Sequence, residues 1–111
     1  TDAIWAGLPI LTVAGPTPSA QTGVSVLKAA RLPELITYSL DEYEKQLHHL
    51  AGNREELAKI RSRMTSTRDE VPLFDSQRLA RHLELGYNMM WEQYEAGLEP
   101  KGFDIPAISQ V

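Results

Sequence analysis

The spacing of apolar residues differs between the first part of this chain and the rest. The first part contains two short runs that are almost entirely apolar. Ile10-Leu11-Thr12-Val13 is nearly all apolar, as is Leu35-Ile36-Thr37-Tyr38 further on. Short apolar runs bounded by turn residues are typical of strands that a parallel sheet buries on both faces. Thr17 followed by Pro18 predicts a helix start between the runs, because threonine caps helices and proline suits their first position. We therefore expect one βαβ unit with parallel strands.

From residue 39 onward, apolar residues recur every three or four positions, which is the period of helices that bury one face. Ser39 and Asn53 each lie three residues before a glutamate, so a capping box should start two helices, with Glu42 accepting from the Ser39 amide. Asp75 should cap the last and longest helix, from Ser76 to about Ala96. The helix that follows Ser39 should bury Leu40, Tyr43, Leu47 and Leu50.

The last helix carries a regular apolar stripe on one face. Its members are Leu79, Leu83, Tyr87, Met90 and Tyr94, with Trp91 beside them. A stripe this regular needs a surface to cover it, and we expect it to form part of the core of this domain. The alternative is that the helix, residues 76–96, is a protein-interaction module whose stripe docks on a partner.

The N-terminal segment combines a carboxylate with a predicted helix–strand junction. Asp2 opens a short helical turn, which Gly7 can end through a positive φ and Pro9 cannot continue. A helix that runs into a strand forms half of a ligand-binding crevice, because α/β folds bind ligands beyond the carboxyl ends of their strands. The other half should precede Thr1, which is not a natural start residue, so we expect a truncated chain.

These elements predict a helix-dominated α/β fragment that forms a single domain over residues 1–111. Residues 1–38 should form its βαβ-like part, 39–97 its helical part, and 98–111 a C-terminal tail. We expect about four to five helices and a small two-stranded parallel sheet. Because two strands alone are marginal, helices must cover them, and the surface that meets further strands should be apolar. Such a surface could support a homodimer.

Composition narrows the function classes without selecting one. The net charge of −4 gives no reason to expect nucleic acid or a membrane surface as a partner. No apolar run approaches the roughly 20 residues of a membrane span, and no signal-peptide pattern occurs. The chain contains no cysteine, which excludes a disulfide framework and a thiolate metal site and fits a cytoplasmic location.

No combination of side chains in the sequence identifies a catalytic group. His48, His49 and His82 lack the i, i+4 spacing of a helical zinc pair, so we expect surface or half-buried histidines and no metal. The glycines form neither a dinucleotide fingerprint nor a phosphate-binding loop, and no catalytic triad follows from spacing. A basic run should be a solvated helix face, because acidic residues surround it. Its members are Lys59, Arg61, Arg63 and Arg68.

Three pieces of sequence, in this order and spacing, resemble one known family. They are Asp2–Thr12 with its Trp-Ala-Gly-x-Pro pattern, Pro72-Leu73-Phe74, and Met90–Gly97 with its Met-Trp-Glu-x-Tyr-x-x-Gly pattern. Shorter matches between them extend the similarity over nearly the whole chain. The chain resembles the C-terminal part of the catalytic region of the protein O-linked N-acetylglucosamine transferases of bacterial type, which are glycosyltransferases that carry tetratricopeptide repeats.

The resemblance implies a GT-B architecture of two Rossmann-like domains, of which this chain would be an incomplete piece of the C-terminal, donor-binding one. It implies inverting transfer of N-acetylglucosamine from UDP-N-acetylglucosamine (UDP-GlcNAc) to a protein serine or threonine, without a metal or other cofactor. Asp2 falls at the family's aspartate that binds the ribose hydroxyls of UDP. The family's phosphate-binding histidine and threonines, its lysine and its first domain would precede Thr1. We therefore expect no catalytic residue here and no turnover by this chain alone.

Overall fold

The computed structural model describes residues 1–108, and the chain divides into two compact units. The first unit is 1–74, and the second begins at Asp75. The boundary falls inside the segment 39–97, which the apolar pattern had joined into one helical part. A single domain over the whole chain stays a prediction, and residues 109–111 of the predicted tail lie outside the described residues.

Five α-helices and one parallel sheet of two strands make up most of the regular structure of residues 1–108. This confirms the predicted fold class, a helix-dominated α/β fragment of the Rossmann-like kind with a small parallel sheet. None of the helices in this part of the chain is both long and apolar enough to cross a membrane.

The predicted helical turn at the N-terminus is helix α1, Asp2–Trp5. It ends as the sequence predicted, because Gly7 adopts a φ of +81° that side-chain-bearing residues avoid. The Leu8 amide then donates to the carbonyl of Ala3 at 2.8 Å, which satisfies one of the free carbonyls at the end of the helix. Ile4 is the buried residue of α1 and anchors it to the core.

The two strands are β1, Thr12–Val13, and β2, Ile36–Thr37. They pair in parallel, with Thr12 opposite Ile36 and Val13 opposite Thr37. The hydroxyl of Thr37 also donates to the carbonyl of Thr12 at 2.8 Å, which satisfies a polar group in the buried strand. Each strand is shorter than its apolar run. Burial on both faces holds for β2, whose two residues are buried, but not for β1, whose two residues are half-buried.

Helix α2, Pro18–Ala29, connects the strands as predicted. The hydroxyl of Thr17 accepts from the amide of Ala20 at 3.2 Å and so caps the helix. Val24 and Leu27 face the core and are buried. A 3₁₀ turn, Pro33–Leu35, then leads into β2.

Helices α3, Leu40–Gly52, and α4, Arg54–Ser66, are separated by Asn53 alone, and the start of each is capped. Ser39 accepts from the amide of Glu42, and Asn53 accepts from the amide of Glu56, both at 3.1 Å. The reciprocal bond of the first capping box differs from the prediction. The Glu42 carboxylate accepts from the amide of Tyr38 at 2.7 Å, one residue before the expected donor.

The prediction of buried residues on α3 was only partly right. Leu50 is buried, and Tyr43 is half-buried. Leu40 and Leu47 are 76% and 47% exposed, because a sheet of two short strands covers only part of this helix. The core of the first unit lies between the strands and the surrounding helices. It contains Ile4, Val24, Leu27, Ala30, Leu32, Leu35, Ile36, Leu50, Ile60 and Met64.

The second unit consists of helix α5, Ser76–Glu95, and the segment that follows it. Asp75 caps α5 by accepting from the amide of Arg78 at 2.9 Å, as predicted. Gly86 is buried, and a β-carbon placed on it would lie 2.8 Å from the Cδ1 atom of Ile105. The segment after α5 therefore returns along the helix and packs closely at this glycine.

The prediction that the apolar stripe of α5 forms core was wrong. All six side chains of the stripe are between 46% and 73% exposed. The more covered side of α5 carries Gly86 and the half-buried residues His82, Leu85, Met89 and Gln93, and it adjoins the stripe. Periodicity identified the stripe correctly but could not tell which side of the helix is covered.

Candidate functional site

Asp2 is the one site residue predicted from the sequence, and the structure places it on the surface. Asp2 lies in the first turn of α1 and is exposed. Within residues 1–108 its carboxylate has no hydrogen bond or ion pair to another side chain. Both carboxylate oxygens are therefore free to accept hydrogen bonds from a ligand, as two neighbouring hydroxyls of a sugar would require.

Helix α1 is held against α4 by side-chain packing. Ile4 is buried in the same core cluster as Ile60 and Met64 of α4. On the same side, a β-carbon placed on Gly7 would lie 3.1 Å from the Cγ2 atom of Thr65, so the chain passes close to the end of α4. These contacts hold α1 against α4 in the first unit.

Trp5 makes a second set of contacts from α1, with two residues that follow α4. The guanidinium carbon of Arg68 lies over the Trp5 ring at 4.6 Å from its centroid, a cation–π geometry. Phe74 meets Trp5 edge to face, with ring centroids 4.9 Å apart and an interplanar angle of 76°. We call Arg68 and Phe74 together the Trp5 clamp.

Sequence reasoning missed the Trp5 clamp because it placed Arg68 in a solvated basic face. That interpretation suits Lys59, which pairs with Glu55 at 3.5 Å while both side chains stay exposed. Arg63 instead contacts the Glu34 carboxylate, and Arg68 stacks on an aromatic ring. The available signal was that tryptophan and phenylalanine occur in two of the three sequence pieces that carry the family resemblance.

In residues 1–108 the three histidines have polar partners other than Asp2. His48 is 3.8 Å from the Glu44 carboxylate, and His49 contacts that of Glu56. His82 lies 2.8 Å from the carbonyl of Arg78, one turn earlier on α5. Among residues 1–108, no three histidine, aspartate or glutamate side chains gather in a way that could hold a metal ion.

The first unit also has an apolar groove next to the strands. Its volume is about 320 Å³, and Leu11, Leu35 and Leu57 are among the side chains that line it. Leu8 and Ile10, which lead into β1, are large apolar residues that remain exposed. An apolar surface therefore exists beside the sheet, which is the type of surface expected where further strands would pack.

Comparison with known proteins finds relatives over most of the chain. A protein of Arabidopsis thaliana named as a probable UDP-N-acetylglucosamine–peptide N-acetylglucosaminyltransferase, SEC, is 32% identical over 106 residues, which is 95% of this chain. A probable enzyme of the same description from Solanum lycopersicum, SPINDLY, is 27% identical over 99% of the chain. The UDP-N-acetylglucosamine–peptide N-acetylglucosaminyltransferase of Caenorhabditis elegans is 28% identical over 87% of it.

The chain spans only a small part of these relatives, 11% of the two plant proteins and 8% of the nematode protein. The sequence model of glycosyl transferase family 41 matches residues 1–83. This match includes the strands, α1 to α4, and both the Trp-Ala-Gly and Pro-Leu-Phe pieces. The chain therefore belongs to glycosyl transferase family 41.

Proposed function

We propose that the chain is part of the donor-binding domain of an inverting glycosyltransferase. The proposed reaction transfers N-acetylglucosamine from UDP-GlcNAc to a serine or threonine of a protein acceptor. Two observations support it: membership in glycosyl transferase family 41, and the names of relatives that are N-acetylglucosaminyltransferases. Because the chain spans about a tenth of those relatives, the activity is proposed for the full-length protein that contains this chain.

The observation that carries this chain's own role is the unpaired carboxylate of Asp2. A carboxylate can accept from the 2′- and 3′-hydroxyls of a ribose, and hydrogen bonds to a charged group contribute about 1.5–3 kcal/mol each. Asp2 is exposed at the start of α1, a helix fixed by Ile4 and Trp5. The role proposed for Asp2 is therefore to hold the nucleoside of the donor, while the reacting groups are supplied elsewhere.

Binding of UDP to the full-length protein tests this role. We expect Asp2→Asn to weaken UDP binding about tenfold, the loss expected when one hydrogen bond to a charged group is removed. Asp41→Asn is the matched control, because Asp41 is also an exposed aspartate in the first turn of a helix. Isothermal titration calorimetry gives both dissociation constants. Equal affinity of the Asp2 and Asp41 variants would remove Asp2 from the site.

A second candidate function is a helical protein-interaction module, and the exposed stripe of α5 favours it. Six large apolar side chains, three of them aromatic, share this face of a 20-residue helix. We propose self-association through exposed apolar surface of the chain as its simplest form. Sedimentation of the 111-residue chain should then show a dimer at high concentration, and a strict monomer would exclude it. Cytoplasmic localisation stays a prediction of the sequence analysis.

A further inference from the structure

We propose that Arg68 and Phe74 are positioning residues for the nucleotide site. By holding the Trp5 ring they fix the rotation of α1 and thereby aim the Asp2 carboxylate at the ribose. This inference rests on the proposed role of Asp2 in donor binding. It assigns the segment between α4 and α5 a role in ligand recognition, although that segment need not touch the ligand.

Helix α1 cannot set its own orientation, because it is too short. It contains four residues, and its ladder includes bonds from Trp5 to Thr1 and from Ala6 to Asp2, both 3.0 Å long. Isolated helices shorter than about 12 residues are marginal in water, so packing must hold this one. Ile4 provides one attachment point, and a single buried side chain leaves rotation about the helix axis poorly restrained.

The contacts of the Trp5 side chain restrain the rotation of α1 on the helix face that also carries Asp2. Asp2 and Trp5 are three residues apart, so their side chains lie on neighbouring positions of the same helix face. An aspartate carboxylate lies about 5 Å from the helix axis, so a rotation of α1 by about 20° moves it by about 2 Å. Hydrogen bonds tolerate only about 0.5 Å of variation in donor–acceptor distance. Movement of Trp5 should therefore disrupt binding at Asp2.

The two clamp residues restrain different directions of the Trp5 ring. Arg68 covers a face of the ring, whereas Phe74 packs at a steep angle to it. The Nε atom of Arg68 is buried and has no hydrogen-bond partner within residues 1–108. Trp5 is still 48% exposed, so the clamp covers only part of this residue.

The segment that carries the clamp is itself well fixed. The hydroxyl of Thr67 donates to the carbonyl of Arg63 at 2.8 Å, which closes the end of α4. The amide of Val71 donates back to the carbonyl of Thr67 at 3.2 Å, and the Val71 side chain is buried. The amide of Phe74 in turn donates to the carbonyl of Val71. Arg68 and Phe74 are therefore presented from a fixed turn and can transmit its position to α1.

The ratio of the affinities for UDP and 2′-deoxy-UDP distinguishes a displaced Asp2 carboxylate from a general loss of stability. The two ligands differ by one hydroxyl, which is a proposed partner of Asp2. The unchanged full-length protein should bind UDP about tenfold more tightly than 2′-deoxy-UDP. Asp2→Asn should bring this ratio to roughly 1, because a neutral amide accepts a weaker hydrogen bond from the 2′-hydroxyl than a carboxylate does. A variant that only loosens the fold lowers both affinities equally and leaves the ratio unchanged.

Two clamp variants and one control complete the experiment. Arg68→Met keeps an unbranched side chain but removes the cation, and Phe74→Leu keeps an apolar side chain but removes the ring contact. Each should reduce the ratio of affinities about threefold. Arg54→Met removes an exposed arginine at the start of α4 and should leave the ratio unchanged. Asp2→Asn combined with Arg68→Met should match Asp2→Asn alone, because both changes act through the same carboxylate.

The outcomes distinguish failure of the positioning role from failure of the role proposed for Asp2. If Asp2→Asn lowers the ratio while both clamp variants keep it at the unchanged value, the positioning role is wrong and the ribose role of Asp2 stands. If Asp2→Asn leaves the ratio unchanged, the proposed function of Asp2 is wrong, and the positioning role falls with it. A drop of the ratio in both clamp variants, with none in Arg54→Met, supports the inference.

Discussion

Substitution of Gly7 by alanine tests how α1 is ended and fixed. Gly7 has a φ of +81°, and this left-handed conformation costs residues with a β-carbon about 1–2 kcal/mol. The added β-carbon would also lie 3.1 Å from Thr65 Cγ2, closer than ordinary contact, so the Thr65 side chain or α1 must shift. We therefore expect Gly7→Ala to lower the free energy of unfolding by about 2 kcal/mol.

Urea unfolding of the chain, followed by circular dichroism, measures this loss as a lower midpoint, by about 1 M or more. Two glycines serve as controls because nothing lies within 4 Å of a β-carbon placed on them. Gly52 is the last residue of α3 and lacks a positive φ, so Gly52→Ala should stabilise the chain by about 0.5–1 kcal/mol. Gly97 has a φ of +69°, so Gly97→Ala measures the conformational cost alone. An unchanged midpoint for Gly7→Ala would refute the proposed helix end.

Two further predictions concern the stability of each unit. Leu27→Ala should lower the free energy of unfolding by about 3 kcal/mol because the side chain is fully buried. Leu83→Ala on the exposed stripe should change it by less than about 1 kcal/mol. Equal losses in urea unfolding would contradict the exposure of the α5 stripe. Ser39→Ala should cost about 1 kcal/mol through loss of the cap on α3, and Ser62→Ala, inside α4, should not; thermal unfolding compares them.

Helix starts could be predicted because capping is local in sequence. Thr17, Ser39, Asn53 and Asp75 were each identified from the residues that follow within one turn, and each caps its helix. The partner of Glu42 was misassigned by one residue, since the amides of Tyr38 and Ser39 are neighbours and sequence does not fix which one a flexible carboxylate reaches.

Features that depend on contacts between distant residues could not be read from spacing. The stripe of α5 was identified correctly, but its exposure depends on what packs near Gly86. Arg68 was assigned to a solvated face because its neighbours in sequence are charged, while its contact is the distant Trp5. The position of Asp2 at a helix start was predictable, and the contacts that orient that helix were not.

The central claim is that the donor nucleotide binds at the segment around Asp2. The chain offers a direct reporter, because its two tryptophans lie in different units: Trp5 beside Asp2 in the first and Trp91 on α5 in the second. The full-length protein labelled with 5-fluorotryptophan would be titrated with UDP and followed by ¹⁹F NMR, with assignments from Trp5→Phe and Trp91→Phe. If UDP binds beside Asp2, the Trp5 resonance shifts saturably while the Trp91 resonance stays in place. A Trp5 resonance that does not move at saturating UDP would contradict the central claim.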